Sequence, residues 1–271
     1  MAKTIGIIAI KGGVGKTTIA ASLASDLVNH YGKKVLIVDA NFSAPNLSSH
    51  MKIDEPVRTI HDVLAGRTQI LRAIHNRYGV DVIPGDYFFN RGVNMLKLKS
   101  RLESIKDNYD FIILDSSPNL NDEMLSTIIS SDNLFVVTTP DEPTLKCSLR
   151  AAKIAKERGR PISGIIINKI REPKYELDLK EIEESLGLLV VAKIPDDKTN
   201  IAALFTGIPT SIYNKNSSFS REINRLSAAL VGEPEKKSFI KKLFPFVLGK
   251  EEVNRQLLKD SFYESVFEET K

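Results

Sequence analysis

The stretch A-I-K-G-G-V-G-K-T-T, Ala9 to Thr18, carries two lysines where a phosphate-binding loop ordinarily needs one. The general nucleotide loop reads G-x-x-x-x-G-K-[ST]. Gly15, Lys16 and Thr17 fill its last three places, while Ile10 stands where the first glycine belongs. The residue types present still have a chemical logic. Gly12, Gly13 and Gly15, with Val14 between them, let successive backbone N–H groups turn inward on an anion. Lys16 then reaches the β and γ oxygens, and Thr17, followed by Thr18, offers a hydroxyl to Mg²⁺.

Two carboxylates extend this chemistry. Asp39 follows K-V-L-I-V and Asp115 follows F-I-I-L, so each sits at the end of an apolar run. A single aspartate there is often only a helix cap. Two beside a phosphate loop are placed to order the shell of a Mg²⁺ ion. Asn168 ends G-I-I-I-N, and Pro195 and Asp196 end the next run; as bare residues these read as turns.

The elements that must position these groups follow from the apolar pattern. Thr4 to Ile10 is a short run rich in branched residues, and Thr17 to Tyr31 has helical spacing at Ile19, Leu23, Leu27 and Val28. A strand, loop and helix in that order place an anion at a helix N-terminus, where orphan N–H groups and the dipole both favour it. Further strand-like runs occur at Lys34 to Val38, Val80 to Pro84, Phe111 to Leu114, Leu134 to Thr138, Ile162 to Ile167 and Leu188 to Ile194. Helical patterns lie between them, at Asp122 to Ile129, Thr144 to Glu157 and Leu177 to Leu186. The alternation predicts an α/β fold: a mostly parallel sheet with helices on both faces, and ligands beyond the carboxyl ends of its strands.

K-G-G-V-G-K-T-T resembles the deviant Walker A loop of the MinD/ParA family of P-loop ATPases, and the resemblance covers about residues 3 to 232. A-L-F-T-G-I-P is similar to a segment common in MinD-like proteins, and T-I-H-D-V-L-A-G to archaeal-type MinD sequences. The resemblance implies ATP and Mg²⁺ as cofactors. It implies an ATP-sandwiched homodimer in which Lys11 reaches the partner subunit's phosphates. Asp115 matches the Walker B carboxylate, with Ser116, Ser117 and Pro118 opening the second switch, and Asp39 opens the first switch, D-A-N-F-S-A-P-N-L. Asn168 would recognise the purine edge, and the Pro195–Asp196 loop would pack over the base. One position departs from the pattern: the family usually reads D-x-D, whereas this chain has Asn41. An amide positions water without accepting its proton, so ATP binding is expected to stand and the turnover rate is in question.

Composition bounds the alternatives. The 271 residues are 42% hydrophobic with few aromatics, which suits a core of Ile, Leu and Val. A lone Cys147 excludes an internal disulfide and argues against relatives that bridge an iron–sulfur cluster. The first residues show no signal-peptide pattern, and no apolar run is long enough to span a bilayer. The net charge of +4 is too mild to argue for nucleic acid. The four histidines, His30, His50, His61 and His75, lack metal spacing and read as surface or partly buried residues. Lys97 to Lys106 reads as a solvated helix face.

The reading divides the chain into an ATPase domain (1–232), a basic segment (233–250) and an acidic tail (251–271). K-K-S-F-I-K-K-L-F-P-F-V-L-G-K, Lys236 to Lys250, has no acidic side chain, and Phe239, Ile240, Leu243 and Phe244 share one helical face, with Pro245 interrupting it. Such a segment lies in an anionic membrane interface rather than crossing it. In the tail, Leu258, Phe262 and Val266 share a face, which would cover the basic segment, bind a partner, or pack on the domain. The expected function is therefore a cytoplasmic, MinD-like ATPase. It would dock peripherally on the membrane as an ATP dimer and position an activating or cargo protein for division or another cellular assembly. Two rivals stand beside it: a ParA-like ATPase binding DNA nonspecifically, and an ATP-holding scaffold that scarcely hydrolyses because of Asn41.

Overall fold

The computed structural model describes residues 1–89, 92–160, 162–172, 179–233 and 250–268. Its centre is β1 (Lys3–Ile8), whose five residues after Lys3 are all buried, as expected for a strand covered on both faces. Around it lie β2 (Val35–Ala40), β3 (His75–Arg77), β4 (Val80–Ile83), β5 (Phe111–Ser116), β6 (Asn133–Thr138), β7 (Ile162–Ile170) and β8 (Val190–Pro195), in the order β3-β4-β2-β5-β1-β6-β7-β8. Every neighbouring pair is parallel except β3 against β4. The mostly parallel sheet with helical layers is the expected fold. β3 was not anticipated, because three polar residues at an edge carry no apolar pattern.

The helices are α1 (Lys16–Tyr31), α2 (Leu47–His50), α3 (Ile60–Leu64), α4 (Leu98–Glu103), α5 (Asp122–Ser130), α6 (Glu142–Glu157), α7 (Leu179–Leu186), α8 (Thr199–Thr206), α9 (Thr210–Tyr213), α10 (Ser218–Val231) and α11 (Lys250–Glu268). α1 is buried along most of its length. It ends where Gly32 turns left-handed and returns its N–H to the Leu27 and Val28 carbonyls. The largest core joins Ile5 and Ile7 of β1, Leu23 and Leu27 of α1, and Phe219 and Leu226 of α10.

α11 resolves the alternatives left open for Leu258 and Phe262: both are buried in this same core. Asn254 donates to the Glu183 carboxylate at 2.6 Å and to the Val190 carbonyl at 2.8 Å, and Arg255 donates to the Val191 carbonyl at 3.0 Å. Burying two large apolar side chains contributes roughly 3–6 kcal/mol, an upper estimate, to holding this helix on α10 and β8. The apolar face of the basic segment, Phe239, Ile240, Leu243 and Phe244, lies outside the described residues.

Two smaller expectations are corrected. His61, expected at the surface or partly buried, is almost fully buried, bridging the Phe42 carbonyl and the Asp86 N–H through its two ring nitrogens. Within Lys97 to Lys106, Lys97 and Lys99 are exposed, but Lys106 is largely covered and paired with Asp132 at 3.0 Å. No described helix is long and apolar enough to cross a membrane.

Candidate functional site

The loop between β1 and α1 wraps one end of a cavity of about 450 Å³ lined by Gly12, Gly13, Gly15, Lys16, Thr17 and Thr18. Gly13 (φ 76°) and Gly15 (φ 96°) are left-handed, the conformation that turns consecutive N–H groups toward one point. Gly15 is also sterically required, since a Cβ there would stand 2.3 Å from the Asn168 amide nitrogen. Val14 puts its side chain into the core and its backbone into the loop. Lys16 is almost fully buried; burial lowers its pKa, and the Asp115 carboxylate opposes that shift.

Asp115 and Asp39 are fully buried at the ends of adjacent strands. Asp39 accepts the backbone N–H of Asn41, Asn46 and Leu47 at 3.1, 3.0 and 2.9 Å, so it fastens the first switch to the sheet. Neither Asp115 oxygen has a hydrogen-bond partner. Burial pushes both carboxyls above the ordinary range. Asp115 adds to the rise at Asp39; at Asp115 the neighbouring Thr17 hydroxyl, whose hydrogen goes to Asn46, and Lys16 partly offset it. A buried, unpaired carboxylate is costly, and a divalent cation is the partner that removes the cost. The residues present therefore fit a magnesium nucleotide: Thr17, Asp39 and Asp115 for the metal, the glycine loop and Lys16 for the phosphates.

The switches are tied to this centre and to each other. The Thr17 hydroxyl donates to Asn46 Oδ1 at 3.0 Å, and Thr18 Oγ1 lies 3.3 Å from His50 Nε2. The Ser43 N–H donates to Glu123 Oε1 at 3.0 Å, which links the first switch to α5 and the second. Asn41 gives its amide N–H to the Ala44 carbonyl, and that acceptor fixes the orientation of the side chain. Its Oδ1 is buried without a partner, in a residue that lines the cavity. Asn41 thus offers a single acceptor and no base.

The cavity is also lined by Asn168, Arg171, Asp196, Asn200, Ile201 and Leu204. Asn168 donates to the Val14 carbonyl at 2.7 Å, which leaves Oδ1 unpartnered and buried. That oxygen can take a purine amino group. Asp196 reaches the cavity and pairs with Arg171 at 2.6 Å, whereas Pro195 ends β8 beside Ile170. Lys169 was missed by sequence reasoning. It is left-handed (φ 59°) and donates Nζ to the Gly13 carbonyl at 2.7 Å, so Asn168 and Lys169 grip two successive carbonyls on the back of the phosphate loop. The signal available was a basic residue directly after the strand-end asparagine.

Lys11 is held outside the cavity. Its Nζ lies 2.6 Å from Thr144 Oγ1 and 3.4 Å from Asp141 Oδ1, and Asp141 is itself the N-cap of α6, accepting the Thr144 N–H. The lysine thus points away from its own subunit's phosphate cradle.

A glycine-rich loop over a buried lysine, with two buried acids at the ends of the adjacent strands, is the arrangement of the P-loop nucleotide-binding class. The family model for AAA domains matches residues 2–148, and the chain belongs to the MinD/ParA family of P-loop ATPases. It is 34% identical to an uncharacterized ATP-binding protein of Methanocaldococcus jannaschii over 92% of this chain and 98% of that one. It is 28% identical to the septum site-determining protein MinD of Thermotoga maritima over 86% and 89% of the two chains. The structure of the septum site-determining protein MinD from Pyrococcus horikoshii, complexed with Mg-ADP, superposes with a TM-score of 0.80 at 29% identity, covering 89% of this chain and 99% of that one.

Proposed function

We propose that this chain is a MinD-like ATPase whose ATP-bound homodimer docks on a membrane surface and holds a partner protein there until hydrolysis releases it. The observation that carries the reading is the placement of Lys11, which directly precedes the glycines of the phosphate loop yet bonds to Thr144 and Asp141 outside the cavity. The Mg-ADP complex of the Pyrococcus horikoshii relative supports ATP and Mg²⁺ as the ligands. Mg²⁺, held at Thr17, Asp39 and Asp115, would supply positive charge against the negative charge that develops as the γ-phosphoryl leaves. Lys16 and the loop N–H groups of Gly13 to Thr18 hold the phosphates. Asp39 and Asp115 orient the metal's water shell. Asn41 Oδ1 positions the attacking water by accepting one of its hydrogens, and turnover is slow because an amide cannot then take the proton.

Membrane residence rests on the segment Lys236 to Lys250. Each buried large apolar side chain contributes roughly 1.5–3 kcal/mol and each lysine near anionic lipid about 1 kcal/mol. One copy binds weakly and reversibly, and two on a dimer bind far more tightly because the second insertion is intramolecular.

The test is sedimentation of the full chain with anionic liposomes in Mg-ATP or Mg-ADP, beside an Ile240→Glu/Phe244→Glu variant. Truncation at Glu235 is unsuitable, since it removes Leu258 and Phe262 from the core. Pelleting in ATP that is lost in ADP and in the variant supports the reading. If wild type stays in the supernatant with either nucleotide, the membrane role is wrong.

A further inference from the structure

On the α3 and α4 side of the molecule, four arginines from separate stretches of chain converge on one cavity. Arg58 precedes α3, Arg67 and Arg72 follow it, and Arg101 comes from α4; Gln69 and Ser104 line the cavity between them. Its volume is about 590 Å³, and none of its lining residues belongs to the nucleotide cavity.

Several basic side chains elsewhere on the surface meet acids, as in Lys106 with Asp132, Lys146 with Glu142 and Arg225 with Glu222. In this cavity no acidic residue is part of the lining. Arg67 approaches Asp62 at 3.7 Å, while Arg58, Arg72 and Arg101 have no carboxylate within ion-pair distance among the described residues. Arg101 Nε is buried without a hydrogen-bond partner. Guanidinium groups that face one another repel, and each presents a planar fork of donors matched to phosphate oxygens. Their convergence from three places, rather than a stripe along one helix, forms a pocket and not a track.

We infer that this cavity binds a soluble ligand carrying two or more phosphate groups, distinct from the nucleotide at the P-loop. Three uncompensated guanidinium charges match a ligand of about three negative charges, and Gln69 and Ser104 supply further polar contacts at the wall. A chain of side-chain contacts links the cavity to the first switch. Arg67 lies over the Phe89 ring at 5.0 Å, Phe89 stacks on His61 at 4.8 Å, and His61 bonds the Phe42 carbonyl at 2.9 Å. An anion that draws on Arg67 therefore acts on a side chain three contacts from the first switch.

The test is calorimetric titration of tripolyphosphate in magnesium-free buffer into wild type, Lys16→Ala and the Arg72→Gln/Arg101→Gln double variant, with Arg58→Gln as a second probe at the more exposed wall. The expected result is binding that persists in Lys16→Ala, falls at least tenfold in the double variant and several-fold in Arg58→Gln, and weakens steeply with added salt. Mg-ADP affinity and melting temperature of the arginine variants, expected to match wild type, establish that they are folded. Binding lost in Lys16→Ala and intact in the arginine variants would place tripolyphosphate at the P-loop alone and overturn the inference. Silence toward tripolyphosphate, including the case of arginine-dependent binding only to phosphatidylglycerol vesicles, would overturn the soluble ligand. Because the readout does not use ATP, it stands or falls separately from the ATPase reading.

Discussion

Asp39 and Asp115 are register partners on the adjacent parallel strands β2 and β5, and both are fully buried. Asp39 is satisfied by three backbone N–H groups, whereas Asp115 has none, so the two acids share one dry space with unequal support.

Asp115→Asn removes a buried charge without breaking a hydrogen bond. In metal-free protein it is expected to stabilise the fold by about 2 kcal/mol, a rise of roughly 4–8 °C in melting temperature. The folded-state pKa is raised, so the folded form binds the proton more tightly than the unfolded one. Wild-type apoprotein therefore loses stability as pH rises above the ordinary carboxylate range near 4, and the variant shows less of that loss. The same change abolishes the stabilisation that Mg-ATP gives wild type. Melting curves from pH 4 to 8, with and without Mg-ATP, check both statements.

Asn41→Asp restores a proton acceptor at a cavity-lining position whose Oδ1 is unpartnered. Steady-state kcat is expected to rise at least tenfold, within the ~10²–10⁴-fold range of a general base, with little change in KM for ATP. An unchanged and ordinary rate would end the slow-turnover reading.

Lys169→Met releases the Gly13 carbonyl from the grip on the phosphate loop. Affinities for ATP and ADP are expected to fall about tenfold, equivalent to 1.4 kcal/mol, while AMP, which barely engages the loop, changes little. Lys169→Arg keeps a donor in reach and recovers most of the loss. Equal weakening for all three nucleotides would mean that Lys169 acts on the base end instead.

Asp141→Asn keeps an N-cap for α6 but removes the charge that holds Lys11. Melting temperature is expected to stay within about 2 °C, while the fraction of dimer in Mg-ATP rises several-fold by analytical ultracentrifugation. Lys11→Ala should leave only monomer.

Asp197 pins α8 to α10 by accepting the Thr199 and Phe219 N–H groups at 2.9 and 3.3 Å and the Ser218 hydroxyl at 2.8 Å. Its burial opposes ionisation, but these hydrogen bonds outweigh it and bring the pKa down to about 2. The unfolded chain takes up this proton first, so the contribution is complete above about pH 4 and is lost as pH falls toward 2. Asp197→Asn is expected to melt lower at neutral pH and to show a flatter acid limb between pH 4 and 2.

Much of the phosphate site was legible because its parts are consecutive in the chain. Gly12 to Thr18 needs only a strand before it and a helix after it, and both announce themselves by apolar spacing. Asp39 and Asp115 were legible as ends of apolar runs, but nothing local says that they lie in register. Lys169 and Glu123 were not legible, since a left-handed lysine meets Gly13 from 156 residues away and a helix glutamate meets Ser43 from 80. Leu258 and Phe262 showed an apolar face without showing its destination, because periodicity measures how much a helix must bury and not against what.

The sequence by itself determined the family, the parallel sheet, the phosphate cradle and the departure at Asn41, all carried by residue type and short spacing. Tertiary structure alone decided that Lys11 rests on α6, that α11 completes the core, that Asn41 keeps a single free acceptor, and that four arginines share a cavity. Apart from the Asn41 amide, which is turned by Ala44 three residues on, each of those depends on distance between residues well separated in the chain, which is fixed when the apolar faces close on one another and not before.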